Sequence, residues 1–187
     1  MSQTAEAEPS FHYVCTWDEA RKIAEGHSRF WVSDCGCREG GPGCRRSRTD
    51  VCLFFDDREM TGTGGNFHEV DRGFVDGLFV EAEDKRLVTR PFHYAKDRTR
   101  DQGICFCCDD CCWYLTHLEE EACDRGRFVE RTRMDACTHC GACIPVCYFH
   151  ARGMDGELLK ITRERCYGCG ICRVVCPEDC IEMVART

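Results

Sequence analysis

Apolar residues recur along the chain at intervals that mark distinct elements. From Val70 to Lys85, the residues Val70, Phe74, Val75, Leu78, Phe79 and Ala82 fall three and four apart, the spacing of an amphipathic helix whose stripe faces a core. An earlier helix is expected from Thr16 to Glu25, because Thr16 with Glu19 three residues on forms a capping-box pattern. Phe30-Trp31-Val32 is a short apolar stretch, Val51 to Phe55 reads as a short strand, and residues 86–94 (RLVTRPFHY) read as extended. A further helix is expected from about Trp113 to Cys123, ending near Gly126. Gly40-Gly41-Pro42-Gly43 must be loop. Gly62-Thr63-Gly64-Gly65 lacks the Lys-Ser/Thr of a phosphate-binding loop and reads as a connection.

Cysteine changes this picture. Twenty of 187 residues are cysteine, a density that fits a secreted disulfide scaffold or a metal protein. Residues 1–10 (MSQTAEAEPS) are polar and acidic, with no basic or apolar signal-peptide region, and read as a disordered tail. The expected setting is therefore a reducing cytoplasm, with thiols used as thiolate ligands. No uncharged apolar run is long enough to span a bilayer. The net charge of −8 would fall to roughly −12 with two thiolate-bound iron–sulfur cubanes, which disfavours a nucleic-acid partner. The basic run Arg45, Arg46, Arg48 reads as a solvated face or a docking point for an acidic partner.

Two segments in the last third repeat one another. Cys137, Cys140, Cys143 and Cys147 form C-x2-C-x2-C-x3-C, and Cys166, Cys169, Cys172 and Cys176 repeat the same offsets. A cubane needs four converging thiolates. The C-x2-C-x2-C loop supplies three, and the fourth cysteine of each motif points away from its own loop to ligate the other cluster. Cluster I is expected to be held by Cys137, Cys140, Cys143 and Cys176, and cluster II by Cys147, Cys166, Cys169 and Cys172. Zinc ribbons need two pairs of cysteines, not two overlapping triplets with a remote fourth ligand. Cys180 falls four residues after Cys176, as Ala151 does after Cys147, so a small packed non-ligand is expected there. His139 is expected to face solvent near cluster I.

Over roughly residues 134–186 the chain closely resembles the bacterial, clostridial-type 2[4Fe–4S] ferredoxins, with Gly141 and Gly170 before the third cysteines and Pro177 after Cys176. Tyr148 stands where the other half would have its proline, a departure that bears on the turn around cluster II. The resemblance implies single-electron transfer to redox partners.

Nine further cysteines, Cys35, Cys37, Cys44, Cys52, Cys105, Cys107, Cys108, Cys111 and Cys112, lie in C-x-C-x6-C-x7-C and C-x-C-C-x2-C-C groups. One or two additional iron–sulfur clusters are the leading expectation; a structural zinc and redox-active thiol pairs are the alternatives. Cys35-Gly36-Cys37-Arg38 and Ile104 through Cys112 also resemble segments of a little-characterised group of 4Fe–4S binding proteins of anaerobes, over most of the chain, without implying a defined reaction. Isolated Cys15 and Cys123 read as small buried apolar residues.

The expected architecture is α+β. A disordered tail (1–10) precedes a small cysteine-rich, mostly helical or irregular metal-binding domain (11–130). A ferredoxin-like dicluster module of βαβ repeats (131–187) follows. The expected role is an electron carrier, or a subunit serving a redox protein or oxidoreductase complex. A catalytic subunit reducing substrate at an N-terminal cluster, or a zinc or thiol platform for interaction or maturation, are the rivals.

Overall fold

The first helix forms where its cap is written. A computed structural model of the chain describes residues 11–40, 43–55, 64–120 and 122–186. The expected 1–10 tail lies outside them, as does part of each glycine-rich stretch. In α1 (Trp17–Glu25) the Thr16 side chain accepts from the Glu19 N–H while the Glu19 carboxylate accepts from the Thr16 N–H at 3.0 Å. Its buried face carries Trp17, Ala20 and Ala24, and the Trp17 indole donates to the Leu87 carbonyl at 2.8 Å.

Next come β1 (Phe30–Ser33), α2 (Gly36–Glu39), β2 (Cys52–Phe55), β3 (His68–Val70), α3 (Arg72–Lys85), β4 (Val88–Tyr94), β5 (Asp97–Cys107) and the single turn α4 (Trp113–Thr116). The strands form one antiparallel sheet in the order β3-β1-β2-β5-β4. The N-terminal region is therefore built on a sheet, not the mostly helical or irregular fold expected for residues 11–130. The reason lies in the cysteines. Strand alternation places Leu53, Phe55, Ile104 and Phe106 against α1 and α3, while Cys52, Phe54, Cys105 and Cys107 take the opposite face, so in β5 that face carries cysteine where an apolar signature would stand. Gly103 lets β2 and β5 close up. A Cβ there would stand 2.1 Å from the Leu53 carbonyl oxygen.

The expected Trp113–Cys123 helix stops after one turn and gives way to a 3-10 turn at Leu118–Glu120. The Thr116 hydroxyl and the His117 ring both take the Trp113 carbonyl, the acceptor that the next helical N–H would need.

Beyond it lie β6 (Phe128–Thr132), β7 (Arg152–Asp155), β8 (Leu158–Ile161), α5 (Ile171–Val174) and β9 (Ile181–Ala185). β6 pairs antiparallel with β9, and β7 with β8, as two separate ribbons. The two regions meet through backbone bonds, with Gly126 N–H donating to Tyr167 and Arg186 N–H to Arg127. They also share a core in which Val14, Trp17 and Val88 pack with Tyr148, Phe149, Tyr167 and Ile171. Among the described residues, no helix is long and apolar enough to cross a membrane.

Candidate metal centres

The repeated cysteine motifs surround two cavities in the C-terminal region. One is lined by Cys137, Cys140, Cys143 and Cys176, with Leu159, Pro177, Cys180 and Ile181. The other is lined by Cys147, Cys166, Cys169 and Cys172, with Phe149, Ala151 and Tyr167. Each cavity thus draws three cysteines from one repeat and one from the other. Left-handed backbone at Gly168 and Gly170 turns the second loop inward, and a Cβ on Gly168 would sit 2.2 Å from the Phe128 carbonyl oxygen. Burial pushes the Cys172 thiol up to about 12 and also raises Cys147 and Cys169, so metal coordination is what would ionise them.

Three neighbours of these cavities differ from their sequence readings or go beyond them. His139 is half-buried, and its Nδ1 accepts from the Leu159 N–H at 2.9 Å, tying the cysteine loop to β8 instead of simply facing solvent. Tyr148, in the place of a proline, is buried; its hydroxyl donates to the Arg86 carbonyl and accepts from Arg46, both at 3.0 Å, and so bonds the two regions together. Cys180 is buried as expected, with its Sγ 3.5 Å from that of Cys176 in the cavity wall.

The nine N-terminal cysteines separate into six and three. Cys35, Cys52, Cys105, Cys107, Cys112 and Cys37 form a closed ring in which each thiol interacts with the next, Cys37 returning to Cys35. The fold makes the ring by register. Cys52 stands directly opposite Cys105 across the β2–β5 ladder, and Cys107 follows two residues on, on the same face. Cys35 and Cys112 occupy the N-cap positions of α2 and α4, which lie at the end of this face. The thiol contacts hold Cys37, Cys52 and Cys107 low and Cys35, Cys105 and Cys112 high, alternating round the ring. Cys44, Cys108 and Cys111 form the separate group, with Cys108 Sγ at 3.6 Å from Cys44 and 3.7 Å from Cys111.

Sequence reading did not single out the buried arginines that accompany the thiols. Arg90, 1% exposed on β4, donates from Nη1 to Cys107 Sγ at 3.6 Å and Cys112 Sγ at 3.5 Å, and from Nε to Cys123 Sγ at 3.3 Å. Its guanidinium lies 4.2 Å over the Tyr114 ring, and His12 Nε2 approaches Cys105 Sγ at 3.8 Å on the same side. In the C-terminal region, Arg152 donates to Cys143 Sγ at 3.4 Å and to Glu130 at 2.7 Å, while it also lines the second cavity. Arg38 is buried beside Cys44, Cys108 and Cys111. A buried guanidinium is costly without polar partners; Glu130 pairs with Arg152, and sulfur atoms surround Arg90 and Arg38. Of these only Arg38 had a sequence signal, as the last residue of the C-x-C-R segment. Cys15 is buried against Thr89, a packed thiol as expected.

Residues 159–182 match the family model of the 4Fe–4S binding domain. The matched stretch starts in β8, holds Cys166, Cys169, Cys172 and Cys176, and ends in β9. The chain therefore carries a 4Fe–4S binding domain there. Neither the curated proteins nor the solved structures contain a match to the chain.

Proposed function

We propose that the chain is an electron relay whose C-terminal module (131–187) binds two [4Fe–4S] clusters and whose N-terminal domain (11–130) binds a further polynuclear centre. The observation that carries the first part is the pair of cavities, each with three cysteines of one repeat and one of the other. Cys137, Cys140, Cys143 and Cys176 would hold cluster I, and Cys147, Cys166, Cys169 and Cys172 cluster II. When bound, such clusters supply one-electron redox chemistry over a wide span of potentials. The chain's own residues would tune that potential. Arg152 hydrogen-bonds Cys143 from a fully buried position and adds positive charge beside both cavities.

Support for the further centre comes from the six-thiol ring. It offers more sulfur than one tetrahedral ion can use, and Arg90 lies against two of its members. Cys107 and Cys112 of the ring belong to the same packed core as Tyr148, Phe149 and Tyr167, against which Cys169 of the second cavity also packs. Phe149 and Tyr167 stack at 4.3 Å within it. This shared, water-excluding core joins the ring to cluster II, while exposed Cys140 brings the first cavity to the surface, where a redox partner would dock.

Iron and acid-labile sulfide analysis of anaerobically purified protein tests the reading. About eight irons are expected from the module alone and more if the ring is loaded with iron. A count near four would sink the two-cluster claim. One observation favours a second reading, reduction of a small molecule at the ring: Arg90 Nη2 and His12 Nδ1 are buried beside it with no hydrogen-bond partner among the described residues. A small molecule that alters the paramagnetic signal of the N-terminal centre alone would favour that reading.

A further inference from the structure

Among the described residues, Cys44, Cys108 and Cys111 are the one group whose metal-binding atoms all lie within 4.8 Å of one another. Cys108 Sγ stands 3.6 Å from that of Cys44 and 3.7 Å from that of Cys111. Thiolates bound to a single ion at about 2.3 Å stand about 3.8 Å apart along the edges of a tetrahedron. Thiolates of a cubane stand further apart, because each binds a different iron. We infer that Cys44, Cys108 and Cys111 hold one zinc ion as three thiolates of a tetrahedral site, with a solvent molecule in the fourth position.

The surroundings fit a mononuclear cation site. Cys108 and Cys111 follow β5 as a C-x2-C turn, and Cys44 reaches them from the loop after α2. That loop is clamped in place: Arg45 N–H donates to Asp110 at 2.8 Å, the Arg45 guanidinium to the same carboxylate at 2.7 Å, and Arg46 to Asp109 at 2.7 Å. The basic run keeps the exposure expected of a solvated face, Arg45 most of all, while its ion pairs tie the Cys44 loop to Asp109 and Asp110. Backbone N–H groups of Arg46 and Ser47 donate to Cys44, and that of Asp110 donates to Cys108, so hydrogen bonds already orient two of the three sulfurs.

Charge points the same way. Three thiolates and a divalent ion leave one negative charge, and the buried Arg38 guanidinium neutralises it. Arg38 is held by the Phe106 carbonyl at 2.9 Å, the Ser47 hydroxyl at 3.0 Å and the Arg48 carbonyl. For one thiolate set, zinc binds more tightly than ferrous iron. Cys44 and Cys111 are partly exposed, which leaves solvent a path to the fourth position.

This inference does not rest on the electron-transfer reading, since a chain with zinc but little iron would keep the one and sink the other. The test is zinc analysis and zinc-edge X-ray absorption on the full-length protein purified without oxygen. The expected result is one zinc per chain, with three sulfurs and one oxygen or nitrogen around it. Cys44→Ser should lose the zinc and leave iron and sulfide unchanged. Absence of zinc, four sulfurs at the zinc edge, or loss of iron and sulfide in Cys44→Ser would each overturn the assignment. The absorption measurement on the unaltered protein decides the matter even if the variant fails to fold.

Discussion

The two regions of the molecule place their thiols by opposite means. In the N-terminal region a sheet and two helices bury sixteen residues in one cluster, mostly Phe, Leu, Val, Ile and Ala, and only two of them are cysteines. The thiols of β2 and β5 are ordinary strand side chains, and ladder register brings them together. In the C-terminal region the cluster around Cys143 has five buried members, three of them cysteines. Its strands form two-stranded ribbons, which are marginal by themselves in water. One region has an apolar core that positions its thiols. The other buries few apolar residues around its cysteine motifs and otherwise packs into the core it shares with the first.

Removing bound iron should test this contrast most visibly. Chelation of iron under reducing, anaerobic conditions is expected to abolish amide-exchange protection across residues 128–186 while α3 and the centre of the sheet stay protected. Equal loss in both regions would show that the N-terminal core does not stand alone. Replacing one ligand should act within the module: Cys176→Ser is expected to lose about four irons, and the loss should come from the centre of Cys137, Cys140 and Cys143. Retained iron, or loss from the Cys166 loop, would overturn the crossed assignment.

Smaller effects separate the packing of the two regions. Arg152→Met strips Glu130 of its buried partner, both side chains being 1% exposed, and should cost about 3 kcal/mol in denaturant unfolding. Arg21→Met, at a half-exposed pair with Glu83, should cost less than about 1 kcal/mol. Thr16→Ala removes the α1 cap and should cost about 1 kcal/mol. Cys180→Ala should change neither iron nor sulfide content, although its sulfur lies 3.5 Å from that of Cys176. Loss of iron there would make Cys180 a ligand.

Legibility followed the range of the forces involved. The Thr16 capping box and the apolar stripe of α3 were plain, because both are set by neighbours within one or two turns. The Trp113 helix was overestimated because the side chains of Thr116 and His117 captured a carbonyl that periodicity takes for granted. β2 and β4 were legible as the Val51–Phe55 strand and the extended 86–94 segment, but the sheet as a whole was not, because β5 carries cysteine and polar residues where alternation would have shown. Arg90 and Arg152 gave no signal, since an arginine in a strand looks solvent-facing until the fold brings distant sulfurs beside it. The split of nine thiols into six and three was equally hidden. Adjacent Cys107-Cys108 and Cys111-Cys112 each send one member to either set, and only strand and turn geometry decides which.

By itself the sequence determined that residues 166–176 carry a cluster-binding motif and that a copy precedes it, because C-x2-C-x2-C spacing is dictated by the span of a short loop around a compact inorganic core. Tertiary structure alone decided which distant thiols meet, where buried cations offset their charge, and that Tyr148 bonds one region to the other. Those are long-range contacts, fixed by strand register and burial, and no local spacing encodes them.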